Sequence, residues 1–144
     1  MSESTEQQAV VTWFGYQYPG KIIYAIPNGA WFGGVPKDKA IIYGAKRKRE
    51  GLLPGVSDLC IPEPAKLLEV EVKDNDGHTA IGKYYRACGL YVEMKDRGAG
   101  PGRVSPEQKW FIIEMRKRGY VAEYAPGADA AIKIITGYMK GVDR

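Results

Sequence analysis

The sequence predicts an α/β sandwich, a mixed central β-sheet flanked by helices, and three features lead to that expectation. Segments with helical caps and helical apolar spacing alternate with short β-branched and aromatic runs, in the order helix, strand, helix, several strands, helix, strand, helix. The 144 residues, 44% of them hydrophobic, suit one core and a single domain over 1–144. No internal repeat, low-complexity tract or linker divides the chain.

Ser2 or Ser4 can cap a helix over 3–17 that places glutamates in its first turn and carries Val10, Val11, Trp13 and Phe14 as its apolar residues. After the break at YPGK, KIIYAIP (21–27) reads as a buried strand closed by Pro27-Asn28-Gly29. A second helix is expected over 36–49, with Gly51 as its stop. Pro54-Gly55 makes a turn, and a short strand follows over 57–61, ended by Pro62 and Pro64. Residues 67–73 alternate as a strand, DNDG turns the chain, and 79–86 form the return. CGLYVEMK (88–95) is the next strand, and the glycine-rich stretch 96–104 is a loop placed to act as a flap. Ser105 opens a helix with Pro106 at its first position, running to Arg118 and closed by Gly119. YVAEYA supplies a last strand and ADAAIKIITGYMK a last helix.

Composition narrows the chemistry. The single histidine, His78, lies in the turn DNDGH, which excludes sites that need several positioned imidazoles and leaves carboxylates and lysines as the reactive groups. Cys60 and Cys88 form no CxxC pair and are expected to be reduced, buried thiols. No apolar run reaches the roughly 20 residues of a membrane span, and MSESTEQQ has none of the regions of a secretory signal, so a cytoplasmic, intracellular protein without membrane contact is expected. The net charge of +4 is compatible with a nucleic-acid partner, and its placement is informative. Lys46, Arg47, Lys48 and Arg49 form one run, and Lys95, Arg97 and Arg103 cluster after an acidic residue.

Residues i and i+2 of a strand share a face, so Glu93 and Lys95 emerge side by side. If the strand begun by Asp58 lies next to them, the two carboxylates can share a hard divalent cation such as magnesium, with the lysine at the edge of its water shell. Each residue also has an ordinary reading, Asp58 as a turn residue and Glu93–Lys95 as a surface ion pair. Glu71-Val72-Lys73 repeats the same spacing, and spacing alone does not choose between the two pairs.

The ordered series EGLLPGVSDL, GLYVEMK and VSPEQKWFIIEMRKRGY, with IPNGAWFGG, GAKRKREG and the ending GYMK, resembles the VRR-NUC domain, the virus-type replication-repair branch of the PD-(D/E)xK nucleases, over nearly the whole chain. The resemblance implies a restriction-endonuclease-like fold. Its metal-binding aspartate falls on Asp58, its strand glutamate on Glu93, its catalytic lysine on Lys95 and its helix glutamine on Gln108, which would steady a water or a neighbouring carboxylate. A further glutamate from the first helix falls on Glu6 as a catalytic metal ligand, with Glu3 as the alternate. Ser57 stands where the family usually has proline, and 65–84 reads as an inserted hairpin carrying the decoy pair Glu71 and Lys73. Motif order therefore selects Glu93 and Lys95.

What the resemblance implies is a Mg2+- or Mn2+-dependent DNA endonuclease. The small stand-alone phage and bacterial members that this chain resembles are similar to four-way (Holliday) junction resolvases acting as homodimers. Lys46, Arg47, Lys48, Arg49 and Arg97 would then contact nucleic acid, and Asn28-Gly29 and Gly33-Gly34 would let backbone approach phosphate. The alternatives are a flap or sequence-specific duplex endonuclease of the same fold and a non-catalytic nucleic-acid-binding module. Trp13, Trp31 and Trp110 are expected in the core.

Overall fold

A computed structural model describes residues 2–27, 37–68, 72–73, 75–77, 79–80 and 84–143. Asn28, Gly29, Trp31, Gly33, Gly34, Glu71 and His78 lie outside the described residues. The elements are α1 (Glu3–Gln17), β1 (Tyr24–Ala25), α2 (Lys37–Arg49), β2 (Leu59–Ile61), β3 (Ala65–Leu68), β4 (Val72–Lys73), β5 (Thr79–Ala80), β6 (Tyr84–Ala87), β7 (Leu90–Lys95), α3 (Pro106–Lys117), β8 (Val121–Pro126) and α4 (Ala128–Met139), with a short 3-10 turn at Pro101–Arg103 before α3.

The main sheet has the order β1-β2-β7-β8, antiparallel except for the parallel pair β7–β8, so the expected mixed sheet is present. The β7–α3–β8 connection is the crossover that a parallel pair requires. Alternation along β7 decides what each face of the sheet meets. Leu90, Val92 and Met94, with Leu59 and Ile61 of β2, bury against Val10 and Phe14 of α1 and Ala131 and Ile135 of α4. Tyr91 faces the other way, where Val104, Ile112 and Ala122 form a smaller core beneath α3. There the Tyr91 ring meets Phe111 edge-on at 5.1 Å and Tyr120 at 5.2 Å.

The central strands and all four helices fall close to their expected places, and Ser2 accepts the Thr5 amide as the N-cap of α1. Elsewhere the structure departs from expectation. The 21–27 strand is a two-residue edge strand with Tyr24 and Ala25 exposed, because β2 covers it on one side only among the described residues. The inserted segment forms two antiparallel ladders, β3–β6 and β4–β5, that keep one register around the Asn75–Gly77 turn and lie apart from the main sheet. Its base is tied to the end of the chain by the Ala65–Val142 bridge and by the Lys66 amide donating to the Gly141 carbonyl at 2.8 Å.

Cys60 is buried as expected, whereas Cys88 is exposed, since it precedes the edge of β7 where the chain leaves the hairpin. Trp13 packs against the main core, but Trp110 is 49% exposed, because α3 turns Phe111 and Ile112 inward instead.

Candidate active site

Asp58 stands one residue before β2, and the antiparallel register that pairs Leu59 with Val92 carries it opposite Glu93. Its Oδ2 accepts the Met94 amide at 2.8 Å, tying the start of β2 to β7, while its carbonyl accepts the Ile26 amide at 2.8 Å from the β1 side. Glu93 and Lys95 share the Tyr91 face of β7. Glu93 is only 3% exposed, and the Lys95 ammonium lies 3.6 Å from its Oε1.

The first turn of α3 holds this carboxylate. Ser105 and Gln108 form a capping box, in which the Ser105 hydroxyl accepts the Gln108 amide and Gln108 Oε1 accepts the Ser105 amide at 2.9 Å. The other end of the same side chain, Nε2, donates to Glu93 Oε1. One glutamine thus starts the helix and orients the strand glutamate. Gly55 links the third segment to these two. Its φ of +91° belongs to the left-handed region, and a Cβ there would overlap the Glu107 backbone, so the PGVSD turn sits directly on the start of α3.

Two buried side-chain atoms lack a hydrogen-bond partner among the described residues, Glu93 Oε2 and Ser57 Oγ. The first belongs to the Asp58–Glu93 pair, and Ser57 precedes Asp58 in the chain. Burial pushes the Glu93 carboxyl up to about 8, the nearby Asp58 charge adds to this, and Lys95 opposes it. Burial raises Asp58 as well, against the Met94 amide and the Lys95 charge. A charged pair of carboxylates is therefore costly here without a cation, and an unpartnered buried carboxylate oxygen is what a hard divalent ion would occupy. The donor set fits magnesium or manganese, with Asp58 and Glu93 as the residues that would hold it.

Glu6 does not join them. Among the described residues no group of three or more His, Cys, Asp or Glu side chains could hold a metal ion. Glu6 is fully buried on α1, and both of its oxygens are engaged. Oε2 accepts the Ala128 amide at the start of α4 at 2.6 Å, and Oε1 accepts Arg97 Nε at 3.2 Å. The Ala128 amide and Arg97 hold its carboxyl below the ordinary value. Glu3, one turn earlier and exposed, is the α1 carboxylate whose charge acts on Glu93.

Arg97, expected to contact nucleic acid, is ion-paired to both Glu6 and Asp129, the latter at 3.2 Å, with its side chain 58% exposed. Gly127, with φ +95° and Arg97 where a Cβ would crowd it at 3.3 Å, is the left-handed residue that lets α4 begin there. Lys46, Arg47, Lys48 and Arg49 end α2 as exposed cations, Lys46 reaching Glu50 at 3.7 Å. The capping-box role of Gln108 was readable in the S-x-x-Q spacing, and the contact made by Gly55 was not.

Fold and constellation together define a nuclease-type α/β domain of the restriction-endonuclease-like class. No protein-family model matches the sequence, and no curated protein does so. A solved structure described as a "VRR_NUC domain protein" is similar to this chain, with 26% identity, a TM-score of 0.69 and coverage of 99% of this chain and 92% of that one. The chain has the VRR-NUC domain fold, as its motifs imply. Among the described residues no helix is long and apolar enough to cross a membrane.

Proposed function

We propose that this chain is a divalent-metal-dependent DNA endonuclease that hydrolyses phosphodiester bonds in branched DNA, acting on four-way junctions as a homodimer. The observation that carries the reading is the buried, unpartnered Glu93 Oε2, set opposite Asp58, beside Lys95 and held by Gln108. Asp58 and Glu93 are the metal ligands, with substrate phosphate and water completing the coordination. Bound there, magnesium or manganese supplies charge neutralisation on the phosphate and acidifies the attacking water.

The protein groups do the rest. Lys95 offers its N–H donors to orient that water and to meet charge growing on the phosphate oxygens. Gln108 holds Glu93 Oε1 on the lysine side and so leaves Oε2 free to turn toward Asp58, because its own carbonyl is fixed by the Ser105 amide. The Lys46–Arg49 run provides phosphate contacts that steer the backbone toward the site. Two copies related by a two-fold axis make the paired cuts that a junction requires, since one domain of this size offers one such constellation.

The test is a panel of four-way junction, flap and linear duplex substrates, incubated with magnesium or with chelator. Magnesium-dependent cleavage with a preference for the junction is expected, together with loss of cleavage by about a thousand-fold or more in Asp58→Asn and Lys95→Ala at unchanged thermal midpoint. Full activity in either variant would sink the assignment. Sedimentation showing only monomer at micromolar concentration, with equal cutting of junction and linear duplex, removes the homodimeric junction reading.

A further inference from the structure

At the end of the sheet away from Asp58 and Glu93, the base of the hairpin and the C-terminal half of α4 line an open groove of about 680 Å³. The register sets its place, since Ile61, Leu90 and Val121 pair at that end while Asp58 and Glu93 lie at the other. Leu67, Leu68, Val121 and Ile134 give it an apolar floor. Lys66, Lys133 and Lys140 line it as exposed cations, and none of the described lining residues is acidic. Tyr84 forms part of its wall, 62% exposed, with the Lys66 ammonium 5.1 Å from the ring centroid.

The groove is preformed. The Lys66 amide is bonded to the Gly141 carbonyl, and a Cβ at Gly141 would overlap the Lys66 carbonyl, so the hairpin base and the end of α4 meet in one docked arrangement. Three ammonium groups attract a polyanion, and an exposed tyrosine above aliphatic side chains suits flat rings. Duplex DNA keeps its rings inside the stack and an acidic peptide has none in regular array, whereas a single strand offers phosphates and free bases together.

We propose that this groove binds a single-stranded segment of nucleic acid, with phosphates at Lys66, Lys133 and Lys140 and bases against Tyr84 and the leucines. The proposal rests on the nuclease reading and extends it. Glu93 stands three residues along β7 from Leu90, about 10 Å, so the site and the groove can take neighbouring parts of one branched substrate. The unpaired strand beside a branch point is the part that the groove would hold.

Fluorescence anisotropy in chelator, which prevents cleavage, tests this with labelled oligothymidine and a blunt duplex as probes. The Lys133→Glu/Lys140→Glu variant should bind oligothymidine about tenfold more weakly and lower the slope of log affinity against log salt by about 1.4, the equivalent of two phosphate contacts. Tyr84→Ala should weaken the same probe by about fivefold or more, with little change for the duplex. A bromouracil-substituted oligonucleotide should crosslink to Tyr84. Wild-type affinity and salt slope in both variants overturn the groove assignment and leave the nuclease reading standing. Failure of the wild-type protein to bind any nucleic acid overturns both. Loss of self-association in the variants, with DNA binding unchanged, gives the groove to a second copy of the chain and likewise overturns the proposal.

Discussion

Glu6 and Glu93 are both buried glutamates, and the chain surrounds them in opposite ways. Glu6 has a partner for each oxygen, the start of α4 on one side and Arg97 on the other, and its carboxyl is held below the ordinary range. Glu93 has Gln108 and Lys95 on one oxygen and no hydrogen-bond donor on the other among the described residues, and its carboxyl is pushed up to about 8. A buried charge whose hydrogen bonds are all met works as an internal brace. One left half-met is a cost that the fold carries for another purpose, which under the proposed function is the reception of a cation.

The contrast can be broken most sharply by the isosteric amide at each position. Glu93→Gln should cut cleavage by about a thousand-fold while leaving the metal-free protein as stable as before or more so, because a buried carboxyl that is costly to ionise has been replaced by a neutral amide. Glu6→Gln should do the reverse, lowering the urea midpoint at unchanged slope, since the α4 amide and Arg97 lose their charged partner. A destabilised Glu93→Gln with normal cleavage would dissolve the distinction.

The pH dependence of metal-free stability sharpens it further. Glu93 binds its proton more tightly folded than unfolded, so its contribution is whole below about 4.5 and is lost as the pH climbs through about 8. Glu6, with its carboxyl lowered from 4.5, contributes above that value and loses its contribution as the pH falls through its lower folded value. Thermal midpoints across this range in chelator should therefore fall on the alkaline side for a reason that Glu93→Gln removes and on the acid side for one that Glu6→Gln removes. Added magnesium should flatten the alkaline limb alone.

Smaller effects test what supports the Glu93 side. Gln108→Ala should slow cleavage by about tenfold and weaken the dependence on metal concentration, as loss of a group that orients a ligand does. Glu71→Gln, in the pair with the same spacing, should leave cleavage at the wild-type level, and loss of activity there would move the site to the hairpin.

The local geometry around Glu93 was readable because strand alternation and helix-capping spacing act over short distances. The shared face of Glu93 and Lys95 needs only the period of two, and Ser105 with Gln108 needs only the S-x-x-Q spacing. What the sequence does not carry are contacts between residues far apart in the chain. Glu3 and Glu6 sit about one helical turn apart, and which of them meets the site depends on how α1 docks on the sheet, a rotation that helical periodicity does not contain. Arg97 reads as a phosphate contact until α1 and α4 deliver Glu6 and Asp129 to it. Trp110 has the size of a core residue, yet the turn of α3 that brings Gln108 to Glu93 leaves it facing outward.

The hairpin leaves β2 after Ile61 and returns before Leu90, at the opposite end of those strands from Asp58 and Glu93. Residues added to or removed from this excursion change neither which side chain of β2 faces which of β7 nor the distance from either strand to α3. Over evolutionary time such a segment is free to lengthen, shorten or acquire new surface without retuning the chemistry. For the protein engineer it marks the place where a foreign recognition element can be grafted with least risk to the Asp58–Glu93 pair.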